Sequence, residues 1–119
     1  MNRSEAIAKI EAYFDEGEFI EDLSRRVAIP TESQNPDQMG MLYGYLTEEM
    51  QPTFERMGYS CRVLENPREG AGPFLLAERQ ESDDLPTVLT YGHGDVVLGY
   101  EEQWREGLSP WTLTQEGDR

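Results

Sequence analysis

A single histidine occurs in the 119 residues, and its neighbours give it a possible chemistry. It stands in Gly92-His93-Gly94-Asp95-Val96-Val97, just past the β-branched run Thr87-Val88-Leu89-Thr90-Tyr91. In an extended chain, residues two apart point to the same side. The spacing of His93 and Asp95 therefore sets an imidazole beside a carboxylate. A carboxylate in that position orients the ring and raises its basicity, as the partner of a metal-ligating histidine does. Glycines on both sides of His93 let the backbone approach an ion or a substrate closely. The same spacing also suits a structural histidine hydrogen-bonded at a strand end, and spacing by itself does not separate the two.

Little else in the chain advertises chemistry. Cys61 is the only cysteine, so an intrachain disulfide and a cysteine-rich metal site are both excluded, and a reducing compartment fits. There is no Gly-x-Ser-x-Gly elbow, no phosphate-binding Walker loop and no Gly-x-Gly-x-x-Gly. Glu48-Glu49 and Glu101-Glu102 read as solvated surface, and Trp104 and Trp111 as packing anchors rather than substrate contacts.

The elements that must carry His93 follow from periodicity. Ser4 is a candidate cap for a helix with Ile7, Ile10, Tyr13 and Phe14 at helical spacing. Gly17 interrupts it. Asp15 and Glu18 have the spacing of a capping box for a second helix bearing Phe19, Ile20, Leu23 and Val27, which Pro30 ends. After a loop at Thr31 to Asn35, Asn35-Pro36 starts a third helix. Its core stripe is Met39, Leu42, Tyr43, Leu46 and Met50, with Pro52 expected to kink or restart it and Gly58 to stop it.

Tyr59 to Leu64 alternates with Tyr59, Cys61 and Val63 on one face. With Phe74 to Arg79 it reads as a hairpin. Gln80 to Asp84 is an acidic surface loop. Thr87 to Tyr91 lacks polar alternation, which predicts a strand buried on both faces at the centre of a sheet, with His93 at its carboxyl end near a cleft. A short last strand is expected at Trp111 to Thr114, followed by a turn at Gln115-Glu116-Gly117-Asp118. Helices followed by strands, one of them fully apolar, predict an α/β layered domain.

Composition narrows the classes of function. The formal net charge is −14, and Lys9 is the only lysine. Non-specific binding to nucleic acid or to anionic lipid needs clustered cations, so neither partner is expected. No stretch reaches the 18 or so apolar residues of a membrane span, and Met1 to Ile10 is too polar for a signal peptide, so a soluble cytoplasmic protein is expected. The length suits one domain.

Around His93 the chain resembles a family. Thr87 to Val97, an apolar strand followed by His-x-Asp-Val, is similar to the metal-binding strand of the zinc metallopeptidases and amidohydrolases that include aminoacylase, acetylornithine deacetylase, succinyl-diaminopimelate desuccinylase and carnosinase. Trp104 and then Ser109-Pro110-Trp111-Thr112-Leu113 resemble the family's downstream Trp and Pro-Phe-x-Leu segment, with Trp111 where Phe is usual. Val27-Ala28-Ile29-Pro30-Thr31-Glu32-Ser33 resembles its Ile-Pro-Ser-x-Ser turn, with Thr31 in place of Ser. Met57-Gly58-Tyr59 resembles its Leu-Gly-Phe junction into the first strand. The resemblance covers nearly the whole chain, in order.

The resemblance implies a layered, zinc-peptidase-like α/β domain with a mixed central sheet, N-terminal helices preceding strands. It implies hydrolysis of an amide next to an amino acid, in an N-acyl amino acid or short peptide. The cofactor it implies is zinc, two ions in the complete enzyme, with cobalt or manganese as possible substitutes. His93 takes the role of metal ligand and Asp95 the catalytic role of supporting that histidine. The family's bridging Asp, its Glu general base beside a ligand Glu, another acidic ligand and a final His all belong later in such a chain. Residues 1–119 are accordingly expected to be a truncated, N-terminal portion of the catalytic domain. The rest of that domain and the dimerisation domain are absent, the complete protein is a homodimer, and this portion by itself is inactive. The contrasting expectation is a self-contained acidic α/β interaction domain that uses no catalytic metal.

Overall fold

The computed structural model describes residues 1–117 and 119, so Asp118 of the expected terminal turn lies outside the described residues. The chain is mixed α/β, with three helices and a two-stranded antiparallel sheet among the described residues. It divides into two compact units, Met1–Ile29 with Tyr100–Arg119, and Pro30–Gly99.

In the first unit, helix α1 spans Arg3–Asp15 and helix α2 spans Glu18–Val27. The cap of α1 is Asn2 rather than the expected Ser4. Asn2 accepts from the Glu5 amide at 3.0 Å, and the Glu5 carboxylate accepts from the Asn2 amide at 2.8 Å. That reciprocal pair needs an acid three residues after the cap. Asn2 has one and Ser4 has Ile7 instead. The expected Asp15–Glu18 capping box does not form either. Gly17, at φ +90°, occupies the cap position of α2, and Glu18 is already helical. The two helices are tied by Phe19, whose ring meets Tyr13 edge-on at 6.2 Å and Phe14 at 5.6 Å. Asp22 accepts from the Tyr13 hydroxyl at 2.8 Å and also holds the Arg25 guanidinium.

The expected strand at Trp111 to Thr114 is a turn with a single bridge, Ser109 to Thr112. Pro110 has no N–H for a ladder, and the Ser109 hydroxyl takes the Trp111 amide at 3.2 Å. Glu101, read from sequence as bare surface, accepts from the Trp111 indole at 2.9 Å.

In the second unit, Asn35 caps a 3₁₀ turn, Pro36–Gln38, that opens the third helix, residues 39–56. The helix changes type at Pro52, which stands in the first turn of the α-helical segment that follows a π-helical one. Tyr45–Met50 is π-helical, and the chain enters Gln51–Arg56 without interruption. Pro52 offers no N–H to Glu48, and a widened turn is one of the few ways a helix accommodates a missing bond and the proline ring.

The helix ends as expected at Gly58, φ +85°. The Gly58 amide bonds to Glu55 O and the Tyr59 amide to Phe54 O, and the Tyr59 ring meets Phe54 edge-on at 5.5 Å. Both backbone bonds and the apolar contact of a Schellman cap are present. The cap feeds strand β1, Ser60–Leu64, which pairs antiparallel with β2, Phe74–Glu78, in the register Cys61 to Ala77 and Val63 to Leu75. The hairpin is as read from the sequence, and Cys61 faces inward, where burial and then the Glu55 charge push its thiol pKa up. The third helix packs on this hairpin. Leu42 is its buried apolar residue, and Tyr43 donates to Glu65, which raises the phenol pKa.

The segment 87–91 departs most from expectation. It joins no strand ladder, and Val88, Leu89 and Tyr91 are 81%, 91% and 87% exposed. A β-branched run makes a strand only where a neighbour supplies hydrogen bonds and a packing face, and here neither is in place. No helix among the described residues is long and apolar enough to cross a membrane.

Candidate metal-ligand arm

The candidate site lies within the second unit, where residues 93–99 leave the exposed run and meet the loop that precedes the third helix. The meeting is a parallel bridge between Glu32 and Val96. The Val96 amide donates to Thr31 O at 2.9 Å, and the Ser33 amide donates to Val96 O at 3.2 Å. Pro30 favours an extended residue before it and cannot itself donate. The β-branched Thr31 continues the extended path, so the loop offers its carbonyl and amide sideways as a strand edge.

Side chains complete the junction. Thr31 is 3% exposed, and its hydroxyl donates to Gly94 O at 2.6 Å. Glu32 reaches along the arm, accepting from the Gly99 amide at 2.7 Å and from the Asn35 side-chain amide at 3.3 Å. Gly94 lies against the Tyr45 ring so closely that a β-carbon there would be 2.1 Å from Tyr45 Cε1.

His93 and Asp95 project from this arm as the spacing predicted. Nδ1 of His93 is 3.2 Å from Oδ1 of Asp95, and also 3.2 Å from the Asp95 carbonyl oxygen. Both are acceptors when the carboxyl is ionised, so the ring proton belongs on Nδ1, and Nε2 carries the lone pair. That arrangement is the one a metal-ligating histidine uses, with its second nitrogen bonded to a carboxylate. The two side chains are open to solvent, 66% exposed for His93 and 47% for Asp95.

The arm brings one imidazole and one carboxylate together. No group of three or more His, Cys, Asp or Glu side chains placed to hold a metal ion occurs among the described residues. Hydrolytic zinc takes three protein ligands and an open position. By residue type and geometry His93 suits one position of such a set. The expected burial of the strand leading to His93 is not found, and the imidazole sits on a solvated arm rather than at the mouth of a packed sheet.

Sequence reasoning named His93 and Asp95 and noticed the Pro30-Thr31-Glu32 turn. It did not join the two. A β-branched residue after a proline was the available signal that Thr31 and Glu32 run extended and seek a partner strand. Nothing in the sequence pointed to Tyr45 as the wall behind Gly94. Comparison of the chain with family models, with characterised proteins and with solved structures gives no match.

Proposed function

We propose that residues 1–119 carry the first metal-ligand arm of a zinc-dependent amide hydrolase acting on N-acyl amino acids or short peptides. The observation that carries the reading is the His93 Nδ1 to Asp95 Oδ1 contact of 3.2 Å, with Nε2 left to bind. On this reading His93 ligates through Nε2. Asp95 fixes the tautomer and turns the ring, and Gly94 keeps the space between them clear. Paired divalent ions in such a site polarise the scissile carbonyl and lower the pKa of a bridging water. The substrate is a small molecule, the metal is zinc with cobalt or manganese as substitutes, and the lone cysteine suits a cytoplasmic setting.

On the same reading the exposed run 87–91 is the central strand of a layered, mixed sheet in the complete, homodimeric enzyme. The remaining ligands and the general base come from outside residues 1–119. The test compares metal content and turnover of N-acetyl amino acids and dipeptides in the complete enzyme. His93→Ala is expected to abolish turnover and weaken one metal site. Asp95→Ala is expected to lose about 10–100-fold in metal affinity or activity. Turnover at the wild-type level in His93→Ala overturns the reading. Residues 1–119 by themselves are expected to show no stoichiometric zinc binding tighter than about 1 μM, or about −8 kcal/mol.

A further inference from the structure

We propose that Thr31 and Glu32 are positioning residues, a clamp that grips the backbone of the His93–Gly94–Asp95 arm and thereby sets the tautomer and direction of the His93 ring. Their role toward a metal rests on the hydrolase reading; the clamp itself does not.

The argument begins with what does not hold the ring. His93 and Asp95 are 66% and 47% exposed, so packing does not fix either side chain. A solvated pair of this kind contributes too little to hold two side chains and a free backbone in one geometry. The 3.2 Å contact persists only if the peptide units between the two residues are already fixed. Those units belong to Gly94, the residue type with the greatest backbone freedom to lose.

Several contacts remove that freedom. The Thr31 hydroxyl donates to Gly94 O at 2.6 Å, so the carbonyl between His93 and Asp95 has a set direction. The hydroxyl is nearly buried and this carbonyl is its partner, so releasing the arm leaves a buried polar group unsatisfied, which is costly. The main-chain bonds between Thr31, Ser33 and Val96 fix the peptide just after Asp95. The Glu32 carboxylate takes the Gly99 amide at 2.7 Å, a charge-assisted bond that anchors the far end of the arm. The Tyr45 ring closes the remaining side of Gly94. Residues 94, 96 and 99 are thus fastened, while the His93 side chain projects free of them.

Because His93 is the only histidine, its ring nitrogens give one set of NMR signals in the ¹⁵N-labelled chain. The ¹⁵N shifts of Nδ1 and Nε2 at alkaline pH, without metal, report the tautomer. Asp95→Ala supplies the reference for a ring that has lost the carboxylate and keeps only the Asp95 carbonyl as a neighbour. The wild-type chain is expected to show a predominance of the Nδ1–H form. Thr31→Val, which deletes the hydroxyl at nearly constant shape, is expected to move the signals at least half of the way to the Asp95→Ala position. Thr31→Ser, which keeps the donor, is expected to restore them. Glu32→Ala is expected to move them in the same direction and Glu32→Gln, which keeps an acceptor, less so.

Far-UV circular dichroism of each variant shows whether the helices remain. If Thr31→Val loses them, Glu32→Ala decides, since that side chain is only half-buried. A helical Thr31→Val or, failing it, a helical Glu32→Ala with wild-type His93 shifts overturns the clamp. The readout uses no metal and no substrate. A hydrolase reading that fails through active His93→Ala leaves the clamp standing, and a failed clamp leaves the ligand role of His93 to its own test.

Discussion

A β-carbon on Gly94 would stand 2.1 Å from Cε1 of Tyr45 and 2.9 Å from its hydroxyl oxygen. Both distances are well inside van der Waals contact, so the arm and the third helix meet at a place only glycine fits. Gly94→Ala must displace the Tyr45 ring or the arm itself, and overpacking of this kind costs about 1–3 kcal/mol. Urea unfolding of Gly94→Ala and of Gly94→Ala with Tyr45→Ala checks it. The second chain should regain part of the loss, and a single variant as stable as wild type contradicts the close approach.

The exposure of His93 and Asp95 leaves them little to add to stability. Their exposed side chains predict that His93→Ala and Asp95→Ala each change the unfolding free energy by no more than about 0.5 kcal/mol. The same denaturant curves measure this. A loss above about 2 kcal/mol in either variant would mean that the side chain supports the fold.

Stability in the first unit depends on pH through Asp22. The Tyr13 hydroxyl and then Arg25 hold its carboxyl below the ordinary carboxylate range. A depressed folded value contributes stability that is present above about pH 4 and lost as pH falls through the folded value. The Tyr13 phenol is raised, chiefly by the same hydrogen bond. Its contribution is present below about pH 10 and lost as pH rises through the raised value. The stability gap between wild type and Asp22→Asn should therefore be widest near neutrality and narrow toward pH 2. An equal gap at pH 7 and pH 2 would show that Asp22 contributes nothing through its charge.

Gly58→Ala tests the cap that aims β1. At φ +85° an alanine is strained by about 1–2 kcal/mol. Its β-carbon would make only ordinary contact, 3.8 Å from Arg79 Nε, so the cost is conformational rather than steric. Thermal unfolding should show the loss in Gly58→Ala and a smaller one in Gly58→Asn, which tolerates the left-handed region. Equal losses in the two would point instead to a packing effect.

What the sequence made legible was local. Gly58 as a helix stop, Asn35-Pro36 as a helix start, and the alternation around Cys61 each depend on neighbours a few residues away, and each appears as read. His93 and Asp95 are two residues apart, so their contact was legible too. The reading failed where a remote partner decides. Thr87 to Tyr91 has strand composition, but a strand exists only with a second chain segment beside it. Thr31 and Gly94 are 63 residues apart, and no periodicity within either segment announces the other. Asn2 caps α1 in place of Ser4 for a local reason that the Ser4 reading passed over: Glu5 stands three residues after Asn2.

The bridge between Glu32 and Val96 also sets an order of events. The bonds that join residues 31–33 to residues 94–99 close a long stretch of chain, whereas the helix and hairpin between them form from short-range contacts. Closing a loop of some tens of residues costs about 2–4 kcal/mol, comparable with what a few hydrogen bonds of about 1 kcal/mol each return. The junction therefore assembles last, on a helix and hairpin already in place, and it is the first part of the second unit to come undone. In native-state hydrogen exchange the amides of Val96 and Gly99 should open well before those of β1, so the arm that carries His93 breathes on a scaffold that stays shut.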